Sequence, residues 1–308
     1  MCTVFSSGGY FARTLDFEDS FGVGEVLVPR YADVGFLHFG RVSEHLAFVG
    51  AGLLQRDFPL VFDGVNEAGV FAAALNFPKS AVYRKSGGGR YDIASFEVVT
   101  LVLSLCNTAR EGALLLGKCR ITDDAFSEDL AATPLHWFIA DGRASYTVEQ
   151  TKEGLLVSEN PVGVLTNEPP FSAQLQYLSG FSGLSPRAHK GGFTERLGIQ
   201  PISRGGTLGL PGDFSSPSRF VRAAFAVHNT DAEEGEVRCI SRMLKIAGIV
   251  SVPRGCVVTD EGRDVCTQYT SCASREGYWY STYDSLTVKC TRFRDLDLDA
   301  SCPKWRKM

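Results

Sequence analysis

The chain lacks several features that would each name a class of protein. It has no run of Lys or Arg long enough to track a phosphate backbone; its 31 basic and 35 acidic side chains are interspersed and leave a formal net charge of -4. Nucleic acid is therefore not an expected partner. Apolar stretches such as "FEVVTLVLSLC" fall well short of the roughly 20 residues that a membrane span needs. The first twenty residues carry Arg13, Asp16, Glu18 and Asp19 with no uninterrupted apolar core, so no secretory signal is read there, and the expectation is a soluble, cytoplasmic protein with no membrane partner. No C-x-x-C step joins the late cysteines Cys239, Cys256, Cys266, Cys272, Cys290 and Cys302, which argues against zinc. They are expected to be small buried hydrophobes in strands, with a redox or metal module as the weaker alternative. Five histidines (His38, His45, His136, His189 and His228) are scattered, none in a recognisable catalytic context.

What is present is ordinary globular composition, 44% hydrophobic and 21% charged, without repeat, low-complexity tract or linker. One domain over residues 2–308 is expected. "CTVF" and "YFARTLDF" flank the turn "SSGG" as a hairpin, and "EVLVP", "HLAFVGA", "PLVFDGVNE" and "GVFAAALNF" continue as strands, with "NEAG" as another tight turn. "DIASFEVVTLVLSLC" and "TAREGALLLGKC" then read as a helix pair, the first opened by an Asp or Ser cap. Strands return in "LHWFIADGRASYTVEQT", "GLLVS" and "VGVLTNEPP". "SSPSRFVRAAFAVH", with Pro217 in its first turn, and "DAEEGEVRCISRMLKIAG" read as a second helix pair, and "QYTSC" and "GYWYSTYDSLTVKCTRF" close the chain as strands. The order sheet, helices, sheet, helices, sheet suggests two stacked antiparallel sheets flanked by helices, although a generic α+β domain gives a similar string.

Cys2 stands directly behind Met1, and a residue that small normally allows Met1 to be removed. The new terminus would then carry a thiol (unperturbed pKa ~8.5) and an α-amine (~7.7–8.0) on one residue, matched closely enough for a proton to pass between them. Such a residue holds both the nucleophile and the base that amide cleavage needs, and no histidine or metal is required.

Taken in order, "MCT", "ARTLDFE", "DGVNEAGVFAAALNFP", "TPLHWFIADGRASYTVE", "GVLTNEPPFSAQLQYL", "RGGTLGLPGDFSSPSRFVRAAF" and "YWYSTYDS" resemble the choloylglycine hydrolases, the bile salt hydrolase and penicillin V acylase branch of the N-terminal nucleophile hydrolases. The resemblance implies a four-layer αββα sandwich of α+β class, exposure of Cys2 as the first residue, hydrolysis of a side-chain amide, no cofactor, and assembly as a homotetramer. It places catalytic roles at Cys2, Arg13, Asp16, Asn76, Asn167 and Arg219, and apolar substrate contacts at Leu15 and Leu130. A guanidinium near the thiol would favour thiolate, a carboxylate would hold the ammonium, and asparagine amides suit an oxyanion. Without Cys2 nearby, Arg13 and Asp16 would read as a surface ion pair, the asparagines as turn residues and each leucine as core. Arg222, three residues from Arg219, reads as an ordinary solvent-facing partner.

The function that follows is cleavage of glycine- or taurine-conjugated bile acids through a Cys2 thioester. Penicillin V acylase and bile acid amine N-acyltransferase share the fold as alternatives, though "LNFP" carries the bile-salt pattern at Asn76. From another class comes a binder of amphipathic ligands, if Met1 is retained.

Overall fold

The hairpin at the start of the chain is set by its turn. In this computed structural model, which describes residues 1–128, 130–188, 194, 196–199, 205–231 and 233–308, Gly8 and Gly9 both take positive φ (59° and 77°). Two consecutive left-handed residues are what a tight two-residue hairpin turn demands, and glycine adopts them without Cβ strain. The strands they join, β1 (Cys2–Ser7) and β2 (Tyr10–Phe17), pair antiparallel with Cys2 opposite Leu15 and Val4 opposite Arg13.

This hairpin lies in the middle of a seven-stranded sheet. Val164–Leu165 pairs with the free side of β1, and Asp264–Ser274 pairs with β2, followed outward by Gly277–Thr282 and Lys289–Arg292, while the short seventh strand Val257–Val258 pairs with the start of Asp264–Ser274. A second sheet of eight strands runs in the order Gly154–Glu159, Ser145–Thr151, Leu135–Ala140, Phe71–Asn76, Phe58–Asn66, Phe48–Gln55, Gly24–Val28 and Lys304–Lys307. All pairings in both sheets are antiparallel. The sheets face each other across a shared core, with Phe11 of β2 stacked on Phe71 of the other sheet at 5.1 Å between ring centroids.

Helices cover the outer faces. Helices α1 (Val98–Leu105) and α2 (Ala109–Leu116) bury Val98, Leu101, Val102, Ala109 and Leu116 against the eight-stranded sheet. The helix α3 (Phe171–Ser179) packs beside α4 (Ser216–Asn229), and α4 and α5 (Glu236–Gly248) lie on the seven-stranded sheet. Helix α4 starts where the sequence says it should: Ser215 caps the N–H of Ser218, and Pro217 supplies a preset φ in the first turn. Its buried face is Phe220, Ala223, Ala224 and Val227, the spacing of one helical stripe. Burying Phe220 alone contributes roughly 1.5–3 kcal/mol. The layers are thus helix, sheet, sheet, helix, the αββα sandwich that the resemblance implied. No helix among the described residues is long and apolar enough to cross a membrane.

Several local expectations are corrected. The segment from Asp92 is not helical at once: Asp92–Ala94 pairs in parallel with Arg120–Thr122, Ser95–Glu97 makes a 3-10 turn, and only then does α1 begin. Sheet pairing outcompetes the cap there, and the Asp92 carboxylate instead accepts from Ser86, Gly87 and Gly89 of the glycine-rich loop. Only two of the late cysteines, Cys266 and Cys272, are buried in a strand; Cys239 is buried in α5, and Cys256, Cys290 and Cys302 are exposed, all of them free thiols. His189 lies outside the described residues.

Candidate active site

Side chains alternate along a strand, so the register of β1 with β2 decides which residues can meet. Cys2, Leu15 and Arg13 all face the inter-sheet space. The thiol is 1% exposed, and Arg13 Nη2 reaches Cys2 Sγ at 3.4 Å while also donating to the Ala74 carbonyl at 2.9 Å. Arg13 is no surface ion pair. It is 2% exposed, and its Nη1 donates to Asp63 Oδ2 at 2.8 Å and to the Tyr269 hydroxyl at 2.7 Å. Burial alone would lower its pKa, but Tyr269, Cys2 and Asp63 together hold it well above the ordinary arginine value. Stranding either charge of the Arg13–Asp63 pair would cost roughly 3–5 kcal/mol.

Even-numbered residues of β2 face the other way, toward α4. There the Asp16 carboxylate accepts from Thr267 Oγ1 at 2.6 Å and Thr14 Oγ1 at 3.2 Å, with Arg219 Nη1 at 3.7 Å. Arg219 is fully buried and donates to the Cys2 carbonyl (2.6 Å), Thr3 Oγ1 (2.5 Å), Asn167 Oδ1 (2.9 Å) and the Phe214 carbonyl (3.1 Å). Burial lowers its pKa, opposed by Asp16 and Cys2. Arg222 does not face solvent as expected. It is 7% exposed because it turns back to bond the carbonyls of Ile249, Pro211 and Asp213.

Asn167 joins the two faces. Its Oδ1 accepts from Cys2 N at 2.7 Å as well as from Arg219, and its Nδ2 donates to the Asn76 carbonyl at 2.8 Å. Its own N–H and C=O are bonded to Ser216 Oγ and Gln174 Nε2, so its orientation is over-determined. With Met1 in place, Cys2 N is a peptide nitrogen that can donate but not accept. The amine belongs to Met1, which bonds the Asp16 carbonyl, and burial pushes that amine below its ordinary value.

An apolar cavity of about 240 Å³ opens beside the thiol. Cys2, Arg13 and Leu15 lie at one end, Phe17, Phe62, Phe96 and Phe126 form much of the wall, and Leu130, 45% exposed, stands in the rim. Asn76 also lines it, and its side-chain amide has no hydrogen-bond partner among the described residues. Asn167 is not among the lining residues. A larger depression between α4 and α5, about 860 Å³, is lined by Asp231, Glu233, Arg238, Arg242 and Lys245 on the outside of the fold and has no cysteine in its lining. The eight residues expected from the sequence therefore divide: Cys2, Arg13, Leu15, Asn76 and Leu130 face the cavity, whereas Asn167 and Arg219 brace the backbone of Cys2 from behind and Asp16 stands beside Arg219. Sequence reasoning missed Asp63, Tyr269 and Tyr278. The available signal was Asp63 itself, an acid at a core-facing position of the run "PLVFDGVNE".

Comparisons with known proteins bear on the family and the fold. The family described as linear amide C–N hydrolases, choloylglycine hydrolase family, matches residues 5–305. A bile salt hydrolase/transferase of Lactiplantibacillus plantarum is 36% identical over 98% of this chain and 95% of its own length. The solved structure of the C2A mutant of conjugated bile acid hydrolase from Clostridium perfringens superposes with a TM-score of 0.89 at 31% identity, covering 100% of this chain and 97% of that one. Penicillin V acylase from Agrobacterium tumefaciens shares the fold, with a TM-score of 0.78 at 21% identity over 100% of this chain and 91% of its own.

Proposed function

The chain belongs to the linear amide C–N hydrolases of the choloylglycine hydrolase family, and from that premise we propose that it cleaves the amide of glycine- and taurine-conjugated bile acids with Cys2 as nucleophile. The observation that carries this reading is the buried Cys2 thiol at the end of an aromatic-walled cavity, with a guanidinium at 3.4 Å. A steroid acyl group needs a mostly apolar pocket with few polar groups, and this one has that character.

Removal of Met1 turns Cys2 N into a free amine. The thiol proton passes to that amine, and the thiolate, favoured by Arg13, attacks the substrate carbonyl. Charge then develops on the carbonyl oxygen, where the uncommitted Asn76 amide is available to donate to it. The ammonium of Cys2 gives its proton to the departing nitrogen as the C–N bond breaks, leaving a thioester and releasing glycine or taurine. Water, deprotonated by the regenerated amine, then releases the free bile acid. Asn167 Oδ1 holds the Cys2 nitrogen in line with the thiol, and Arg219, balanced by Asp16, holds Asn167. A cytoplasmic tetramer without cofactor is part of this reading and rests on the family resemblance alone.

The test is intact mass of the purified protein combined with amine release from taurocholate, glycocholate and penicillin V in parallel. Loss of Met1 with release of taurine or glycine is expected. Cleavage of penicillin V alone would overturn the substrate, and a retained Met1 with no cleavage would overturn the enzyme. Adding a second amino acid as acceptor distinguishes transfer from hydrolysis by the appearance of a new conjugate. The assignment of Asn76 has its own check. Asn76→Ala is expected to lower kcat by ~10²–10³ with KM changed only a few-fold. A pure KM effect would move Asn76 from the oxyanion to substrate binding.

A further inference from the structure

Asp63 belongs to none of the roles above, yet every bonding position of its carboxylate is filled. It lies on the strand Phe58–Asn66 of the eight-stranded sheet, 0% exposed, and points across the core at the opposite sheet. Oδ2 accepts from Arg13 Nη1 at 2.8 Å and from the Tyr269 hydroxyl at 2.5 Å; Oδ1 accepts from Ser271 Oγ and the Tyr278 hydroxyl, each at 2.7 Å. A carboxylate offers about four such positions. Tyr269 closes the arrangement by accepting from Arg13 Nη1 while donating to Asp63.

The guanidinium has little else to fix it. Arg13 Nε makes no hydrogen bond among the described residues, so the tilt of the group depends on its two terminal nitrogens. Nη1 is held by Asp63 and Tyr269; Nη2 is left with the Ala74 carbonyl and the Cys2 thiol. Resting on the reading that Cys2 is the nucleophile, we propose that Asp63 is a positioning residue: locked by Tyr269, Ser271 and Tyr278, it fixes the Arg13 guanidinium so that Nη2 is aimed at Cys2 Sγ. The titratable groups in contact with Arg13 and Asp63 are the Cys2 thiol, Tyr269 and Tyr278, all from the seven-stranded sheet; Asp16 and Arg219 lie on the opposite face of that sheet.

A sign argument separates position from charge. Taking a negative charge away from beside Arg13 would by itself favour the thiolate and speed alkylation of Cys2. Letting Arg13 swing away from the thiol would slow it. The experiment therefore measures, in Met1-free protein at one fixed pH, the rate of Cys2 alkylation by iodoacetamide together with kcat and KM for taurocholate. Asp63→Asn, which keeps the shape, is expected to slow alkylation by about tenfold and to lower kcat by about a hundredfold with KM within threefold. Leu116→Ala, in the α2 layer far from the site, serves as a control for lost stability and should leave both rates within threefold. Should Asp63→Asn fail to fold, Tyr269→Phe, which retains the carboxylate but removes its brace, is expected to slow alkylation by about fivefold and to lower kcat by about tenfold, with KM within threefold. Faster alkylation, unchanged kcat in a folded variant, or an equal fall in the Leu116→Ala control would each overturn the proposal. If the unmodified protein cleaves no amide, the functional reading fails, while the alkylation comparison still decides the position of Arg13.

Discussion

Cys2→Ala removes turnover of taurocholate and glycocholate by a factor on the order of 10⁴–10⁶, while the protein keeps its fold and still binds substrate. The size follows from the absence of any substitute. Among the described histidines, His136 is committed to Glu149 and the Thr166 carbonyl, His45 to carbonyls of Ala32 and Leu46, His38 to Asp124, and His228 to the Val162 carbonyl. None of them lines the cavity, and no second thiol does. The fold should survive because the thiol contributes little packing: it is replaced by a side chain of nearly the same volume in a strand held on both sides, by β2 and by Val164–Leu165. The check is kcat alongside thermal melting and a binding titration with conjugated bile acid. Substantial residual turnover would dismiss Cys2 as the nucleophile, whatever the state of the other residues.

A residue left in front of Cys2 is expected to be almost as damaging. Protein made with an uncleaved tag ahead of Cys2 should lose about 10²–10⁴ in kcat, the usual worth of a general base, and recover when a protease trims the chain to Cys2. The reason is visible in the bonding of Cys2 N, which as a peptide nitrogen donates to Asn167 Oδ1 and whose lone pair, delocalised into the amide, is not available to take the thiol proton. Arg13 and the cavity would be unaffected, so alkylation of the thiol should persist while amide cleavage fails. Equal activity of tagged and trimmed protein would mean that some other group supplies the base. The two experiments are complementary, since one removes the nucleophile and leaves the amine, and the other does the reverse.

The hairpin, the longer strands of the first quarter and the second helix pair were legible in the sequence because each is governed by local rules: a double glycine turn, period-two alternation, a serine cap before a proline; the three-residue strands Val34–Phe36 and Gly40–Val42 were too short to show a period. The helix α3 was not read because it opens at Pro170 without a side-chain cap, a few residues after a strand of two residues. Lys304–Lys307 was also missed. Its residues are all exposed, and only the distant partner Gly24–Val28 makes them a strand. The same distinction divides the site. A resemblance in short strings located Cys2, Arg13, Asp16, Asn76, Asn167 and Arg219, but which of them face the cavity depends on the β1–β2 register, and no string carries that. Asp63, Tyr269 and Tyr278 are joined only through the pairing of two sheets, so nothing near any of them in the chain announces the others.

The position of β1 in its sheet has a consequence for how the protein is made. Cys2 leaves the ribosome almost first, yet Asn167 lies 165 residues later, Arg219 217 later, and the Tyr269 that braces Arg13 lies 256 residues beyond it. Contacts of such long range form late and slowly. During most of synthesis the amino terminus is a loose end, with Met1 open to aminopeptidase; in the finished fold Met1 is tied by its amine and carbonyl to the backbone of Asp16. On the proposed reading, trimming would therefore belong to the nascent chain, and the amine it uncovers would sit beside an ordinary thiol until the last strands arrive to complete the site.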